Sequence, residues 1–317
     1  MAIVVVLPAI SAQSSGRKAI PGESHTSLPA PCKYQSSPDT SDNLLLVSSF
    51  APEPAYVDLP VEQIKKLVPL LNPPLTNTTE YILSKTGEAI TDLLQRTPNL
   101  LANEKVKVID ENLNSGSKYE STTNYYYRIV HRRNQFGRDG LAEFRTYVDD
   151  NPVDDSPKNP NRLINIGFAT LWLIFLPGNH DDSHFRYLGE QLIEKHKTYV
   201  IAFAQKPQNT GLRPVINYSS GQCTTPLQGI AWIDQSTFQI VRLQTDLLHS
   251  LPDIQLSELR TVLTYQSVKI GGLHLSLWLP EDVETTYHTS YRDVKESHGY
   301  SHYRLFKATM KVLTNPR

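Results

Sequence analysis

The residues best equipped for chemistry are gathered in Pro177-Gly178-Asn179-His180-Asp181, followed at once by Asp182-Ser183-His184. Neighbouring His, Asp and Asn side chains are donors for a metal centre, and a Gly-Asn-His-Asp run can serve a metal pair that polarises a phosphoester. A metal pair needs more ligands than this run supplies. Asp182-Ser183-His184 adds donors only immediately after the run, and Gly299-Tyr300-Ser301-His302 adds a single distant histidine. A polar surface turn is therefore the plainer expectation, and a metal site would rest on His180, Asp181, Asp182 and His184 alone. Nucleophilic catalysis has no better footing. There is no Gly-x-Ser-x-Gly, and Ser219-Ser220-Gly221-Gln222-Cys223 lies in a loop without the strand–turn–helix context of a nucleophile elbow. Gly271-Gly272 reads as a turn rather than a phosphate loop. Near the C-terminus His288, His298 and His302 interleave with Tyr287, Tyr291, Tyr300 and Tyr303. That spacing suits a solvated strand face or aromatic packing, with a pH-sensitive patch as its functional version. No catalytic residue and no cofactor is assigned.

What remains is apolar chemistry. Trp172 lies in Phe168–Leu176 (FATLWLIFL), the most apolar run of the chain. Periodicity leaves open whether that run is a buried helix or a buried strand. In Gly229–Asp234, Ile230 and Trp232 share one face of a strand, and Ala231 and Ile233 the other. Asp234 opens a turn, and Phe238, Ile240 and Arg242 alternate on the return. A strand apolar on both faces must be covered on both sides. Trp232, Phe238, Ile240, Trp278 and Trp172 are thus the candidates for lining an apolar cavity, and core packing is their alternative role.

These residues need elements to position them. Asp58–Leu71 carries Val61, Ile64, Leu67 and Val68 at helical spacing, ended by Pro69 and Pro73-Pro74. Thr78-Thr79-Glu80 caps a clearer helix with the stripe Tyr81, Ile82, Ile90, Leu93 and Leu94, stopped at Thr97-Pro98. After Pro98 the period drops from 3.6 to 2. Strands are expected around Glu104–Ile109, Tyr125–His131, Leu141–Val148, Tyr199–Ala204, Gly229–Asp234, Phe238–Gln244, Leu259–Ile270, Leu273–Leu279 and Tyr300–Val312. Asp149–Asn161 reads as a polar loop. Helices first, then antiparallel strands with short connections, predict a mainly β (α+β) fold. It would be a single curved antiparallel sheet or incomplete β-barrel with the N-terminal helices packed on it.

Composition narrows the classes. With 31 Lys+Arg against 32 Asp+Glu the net charge is -1, which removes the electrostatic basis for binding nucleic acid. Eleven of the 22 prolines fall in the first 74 residues, so the chain divides into a signal-peptide-like segment (1–12), a disordered Pro/Ser-rich linker (13–55) and a helix-plus-sheet domain (56–317). Met1–Ala12 (MAIVVVLPAISA) resembles the apolar region and cleavage site of an export signal, with a short buried strand as the alternative. Its lack of a Lys/Arg n-region would place the true start upstream. The run is too short to span a bilayer, and no transmembrane span is expected. Cys32 and Cys223 have no metal-ligand spacing; an oxidising compartment would allow them to bond, against which stands the disorder expected around Cys32.

The C-terminal half also carries a succession of landmarks: Phe185–Glu190, Tyr199–Gln205, Gly229–Asp234, Ile240–Leu243, Leu277–Pro280 and Tyr300–Phe306. Together they resemble a family of uncharacterised bacterial secreted proteins, and the Gly-x-x-x-Ile-Asp…Ile-x-Arg-Leu hairpin is similar to that of periplasmic lipoprotein-carrier and outer-membrane lipoprotein-sorting proteins. The resemblance covers about residues 80–313. It implies an incomplete antiparallel barrel closed by helices over a cavity for acyl chains, and a periplasmic or secreted location. Gly178–Asp181 taken alone resembles the central motif of calcineurin-like metallophosphoesterases. Three functions are therefore carried forward. The first is a non-enzymatic carrier or binder of lipid or lipoprotein; the second is an interaction domain of the cell envelope, partnered by an envelope protein, whose barrel is filled by its own side chains. The third is a metal-dependent hydrolase using the Gly-Asn-His-Asp segment.

Overall fold

The computed structural model describes residues 4–6, 30–32, 54–74, 78–133, 139–147, 165–166, 168–208, 212–218, 221–273 and 276–306. Most of segments 1–12 and 13–55, the polar loop 149–161 and the end of the expected last strand lie outside them.

The strands, in chain order, are β1 (Val4–Val6), β2 (Leu100–Asn112), β3 (Lys118–Arg133), β4 (Asp139–Tyr147), β5 (Asn165–Ile166), β6 (Ser183–Ile193) and β7 (His196–Gln205). They continue with β8 (Val215–Tyr218), β9 (Gly221–Thr224), β10 (Leu227–Asp234), β11 (Ile240–Leu247), β12 (Leu256–Lys269), β13 (Ser276–Thr289) and β14 (Arg292–Leu305). Ten of them form one antiparallel sheet in the order β4-β3-β2-β14-β13-β12-β11-β10-β7-β6. The two end strands do not meet, so the sheet stays open instead of closing into a barrel. Beyond the single sheet expected, a second, four-stranded sheet has the order β5-β1-β8-β9. It is tied to the chain at Cys32, which is disulfide-bonded to Cys223 on β9, and Cys32 N–H also donates to Thr224 O at 2.8 Å.

Two helices precede the large sheet. The first, α1 (Val61–Leu67), buries Ile64, and the adjoining Val68 is buried too. Val61 and Leu67, expected on the same face, are exposed, because a seven-residue helix has room for only one buried ridge. The second, α2 (Thr79–Arg96), starts where Thr78 Oγ1 accepts the Tyr81 N–H at 3.2 Å, as its capping sequence requires. Its buried face runs through Ile82, Leu83, Ile90, Leu93 and Leu94, whereas Tyr81 lies outside it.

The strand alternation sorts side chains onto the two faces of the sheet. Tyr199, Ile201 and Phe203 on β7, with Ala231 and Ile233 on β10, belong to the main core under α2. Val200, Ala202, Ile230 and Trp232 belong to a second cluster with Tyr56, Leu59, Ile64 and Val68. Both faces of the β10–β11 hairpin are covered, as its double apolar pattern demanded. The apolar run around Trp172 is neither α-helix nor strand. Phe168–Phe175 is a 3-10 helix, all eight of its residues buried, lying in the main core with α2.

Candidate apolar cleft and buried charge cluster

The 3-10 helix Phe168–Phe175 fills the space between α2 and the sheet, where a cavity was expected. Its tight winding leaves poor internal hydrogen bonds, and runs beyond three or four residues are uncommon. The segment is therefore held by what surrounds it, and each end has its own partners.

At the C-terminal end, Asn179 Nδ2 donates to Leu173 O at 2.8 Å, and His180 Nε2 lies 2.8 Å from Phe175 O, which places the ring hydrogen there. Pro177–Asp182 is a second 3-10 turn. Gly87 of α2 lets this corner close. A Cβ there would come within 2.8 Å of Pro177 Cγ and 3.3 Å of Phe175 O. The Gly-Asn-His-Asp run therefore braces the apolar segment, and His184 is exposed. Among the described residues no group of three His, Cys, Asp or Glu side chains is placed to hold a metal.

The N-terminal end meets charge. Register sets Tyr300 of β14 beside Glu104 of β2, and Arg145 of β4 beside Tyr127 of β3. Arg145 grips Glu104 through Nε and Nη2, with both side chains almost wholly buried. The same carboxylate accepts Tyr300 Oη at 2.7 Å and lies 3.0 Å from His298 Nδ1. On its other side, His298 Nε2 lies 3.5 Å from Glu296 Oε2. Burial would raise the Glu104 pKa, but Arg145 and His298 outweigh it and hold that group at about 2. Burial would lower the His298 pKa, and its hydrogen bonds to Glu104 and Glu296 turn that into a net rise. Phe168, the first residue of the apolar segment, rests edge-on against the His298 ring at 5.0 Å with the Arg145 guanidinium 5.9 Å from its own ring centre. Tyr265 Oη donates to Phe168 O at 3.2 Å.

Between these ends, a cleft of about 200 Å³, including space open to solvent, is lined by Ile90, Leu93, Trp172, Gln239, Ile240, Tyr265 and Trp278. Three of the five cavity candidates, Trp172, Ile240 and Trp278, thus converge. Phe238 sits nearby in the hairpin turn rather than on the strand, at φ 55°, packed against Tyr81 and Tyr199. The turn extends that far because Phe238 N–H donates to Asp234 O and Asp234 N–H to Gln239 O, so β11 begins only at Ile240. Trp232 is not part of the cleft. It lies in the α1 cluster on the other face, its Nε1 donating to Gln191 Oε1 at 2.6 Å and the Arg242 guanidinium 5.0 Å from its ring centre.

The C-terminal histidines are not one solvated face. His298 is fully buried in the charge cluster, while His288 pairs with Asp293 at 2.7 Å, partly exposed at the end of the β13–β14 hairpin. The row Glu296, His298, Tyr300 at spacing two was the available signal, since it puts charged side chains where a core strand should show apolar ones. Its partners Glu104 and Arg145 are far off in sequence and became visible only through register. Ser219 and Ser220, next to Cys223, lie outside the described residues.

No protein-family model matches the chain, and no curated protein matches it. Among solved structures, it is similar to a DUF1329 family protein from Desulfovibrio piger, at 10% identity and a TM-score of 0.42, covering 73% of this chain and 94% of the other. It is also similar to a putative outer membrane lipoprotein-sorting protein domain from Vibrio parahaemolyticus, at 11% identity and a TM-score of 0.38, covering 74% and 96%. A LolA superfamily protein from Nitrosomonas europaea matches at 13% identity and a TM-score of 0.32, covering 76% and 99%. These are likenesses of fold. Among the described residues, no helix is long and apolar enough to cross a membrane.

Proposed function

We propose that this chain is an exported, non-enzymatic envelope protein that binds an apolar ligand, a lipid or lipoprotein acyl chain, in the space filled by Phe168–Phe175. One observation carries the reading. A fully buried eight-residue segment, apolar except for Thr170, in a helix type that supplies little hydrogen bonding of its own, lies between α2 and an open sheet beside a small cleft lined in part by Trp172 and Trp278. Ligand pockets usually enclose about 300–1,000 Å³, whereas the enclosed space at this cleft is about 10 Å³, no more than one water occupies. An acyl chain would gain its full burial only by moving the segment aside. The exchange is nearly balanced, because each apolar Å² buried, in either occupant, is worth about 25 cal/mol. The Cys32–Cys223 bond supports an oxidising compartment; within the Met1–Ala12 run, Val4–Val6 pairs with β5 and β8, which favours the strand reading of that run over a removable signal.

The test is direct. Protein isolated from an envelope fraction is extracted and searched for acyl chains by mass spectrometry, and the folded protein is titrated with N-phenyl-1-naphthylamine. Acyl chains in the extract and saturable probe binding weakened by Trp172→Ala are expected. The complete burial of Phe168–Phe175 favours a second reading, an interaction domain filled by its own side chains. Absence of both acyl chains and probe binding would establish that one instead.

A further inference from the structure

The α1 helix and the Tyr56–Leu59 segment cover only part of their face of the large sheet. No residue of β2, β3, β4 or β14 belongs to the cluster beneath them. A row of directly paired residues carries that face onward from β10 to β2: Trp232, Arg242, Thr264, Asp282, Gly299 and Lys105. Paired residues project to the same side of a sheet, so Lys105 shares the side of Trp232. Asn103 and Leu101 follow on that side at spacing two. Leu101 lies in the row Arg304, Leu101, Arg128, Phe144, which crosses β14, β2, β3 and β4. Asn103 lies in the row Ser301, Asn103, Tyr126, Thr146. Neither row contains an Asp or a Glu.

These rows present cations and rings together. Arg304 and Lys105 are exposed, and Phe144 is 39% exposed. The Arg304 guanidinium lies 5.8 Å from the Tyr126 ring centre, its Nη1 donating to Asn103 Oδ1 at 3.2 Å and to His302 O at 3.1 Å. The Arg128 guanidinium lies 5.3 Å from the Phe306 ring centre. The other end of the same face is built differently. There Lys107 pairs with Glu120 at 2.7 Å and Lys295 with Glu284 at 3.0 Å, so cations and carboxylates alternate. Asp282, which lies over Gly299, marks the border on β13.

We propose that this face of β14, β2, β3 and β4, through Arg304, Arg128, Lys105 and Phe144, docks the protein on a bilayer surface bearing anionic phospholipid headgroups. Charge complementarity is the first argument, because the patch has one sign in a chain whose net charge is -1. Shape is the second: a broad sheet face suits a plane better than it suits a peptide. The third is the mixture itself. Cations with apolar stems beside partly exposed rings settle where headgroups meet acyl chains. A soluble acidic partner would use the cations and leave Phe144 without an apolar counterpart. The cleft lies on the opposite side of the sheet, so docking does not depend on the ligand proposed above.

The experiment sediments the full chain, disulfide intact, with sucrose-loaded vesicles. One set holds equal parts phosphatidylglycerol and phosphatidylcholine, the other phosphatidylcholine alone. Each Lys or Arg near an anionic surface contributes about fivefold to partitioning, so three together favour the anionic vesicles by on the order of a hundredfold. That preference should shrink as salt is added. Arg304→Ser and Lys105→Ser should each weaken binding by about fivefold, and the double variant by about twenty-fivefold. Lys107→Ser removes the same charge from the paired end and should change nothing. Urea titration of each variant separates lost binding from lost fold. Equal binding to the two vesicle types, or a loss in Lys107→Ser that matches Lys105→Ser, overturns the proposal. Phe144→Ser should weaken vesicle binding and leave any binding of soluble polyglutamate unchanged. Polyglutamate bound as tightly as anionic vesicles, with Phe144→Ser silent towards both, would assign the face to an acidic polypeptide instead. N-phenyl-1-naphthylamine uptake, measured on the same variants, keeps the two proposals apart. Probe uptake without vesicle binding removes the docking face and leaves the ligand reading; vesicle binding without probe uptake does the reverse.

Discussion

The two faces of the large sheet are covered in different ways, although β7, β10 and β11 serve both. On one face α1 and the Tyr56–Leu59 segment sit over Val200, Ala202, Ile230, Trp232 and Val241. Polar contacts there finish the packing: Arg186 Nη1 donates to Leu59 O at 2.6 Å, and Gln191 Oε1 receives the Trp232 N–H. On the other face α2 is joined by a segment with few hydrogen bonds of its own, fixed at one end by Asn179 and His180 and at the other by a buried charge cluster. Both covers thus carry polar contacts, but only the second contains a segment whose own winding supplies little hydrogen bonding.

The largest effect should come from the charge cluster. Glu104→Gln leaves the buried Arg145 uncompensated and should cost about 3–5 kcal/mol of unfolding free energy in urea titration. A loss below about 1 kcal/mol would mean that the cluster is not closed to water. The same group sets an acid limit. Its pKa lies below the ordinary value, so its contribution is present above the ordinary carboxylate range and disappears as pH falls towards about 2. Acid unfolding of the wild type should therefore steepen across that window, and the steepening should be absent from Glu104→Gln.

Next come two tryptophans, Trp232 on the α1 face and Trp278 at the cleft. Trp232→Ala should cost about 3–5 kcal/mol, the range for emptying a large buried aromatic site, and leave apolar-probe binding intact. Trp278 is only partly buried and packs against both clusters while lining the cleft. Trp278→Ala should cost less stability and weaken the probe more; equal behaviour of the two variants would erase the distinction between the faces. The smallest effect belongs to the helix ends. Thr78→Ala removes the α2 cap and should cost about 1 kcal/mol by thermal or urea unfolding, whereas α1 begins at Pro60 with no side-chain cap to lose.

The sequence by itself determined the elements whose cause is local. The α2 cap, the change of period after Pro98, the Asp234 turn and the two-faced β10 strand are all legible because each depends on neighbours within a few residues. It also brought Trp232, Phe238, Ile240, Trp278 and Trp172 forward together through their apolar settings, without distinguishing those at the cleft from those away from it. Tertiary structure decided the rest. The run around Trp172 was ambiguous because an apolar stretch without periodicity takes whatever backbone its surroundings impose. Trp232 parted from the other candidates through the strand alternation, which sends it to the α1 face. Cys32 bonded to Cys223 across 191 residues, and Glu104 met Arg145 and His298 across three strands. Such pairings depend on register and chain crossing, and a buried charge is tolerated only where register delivers its partner.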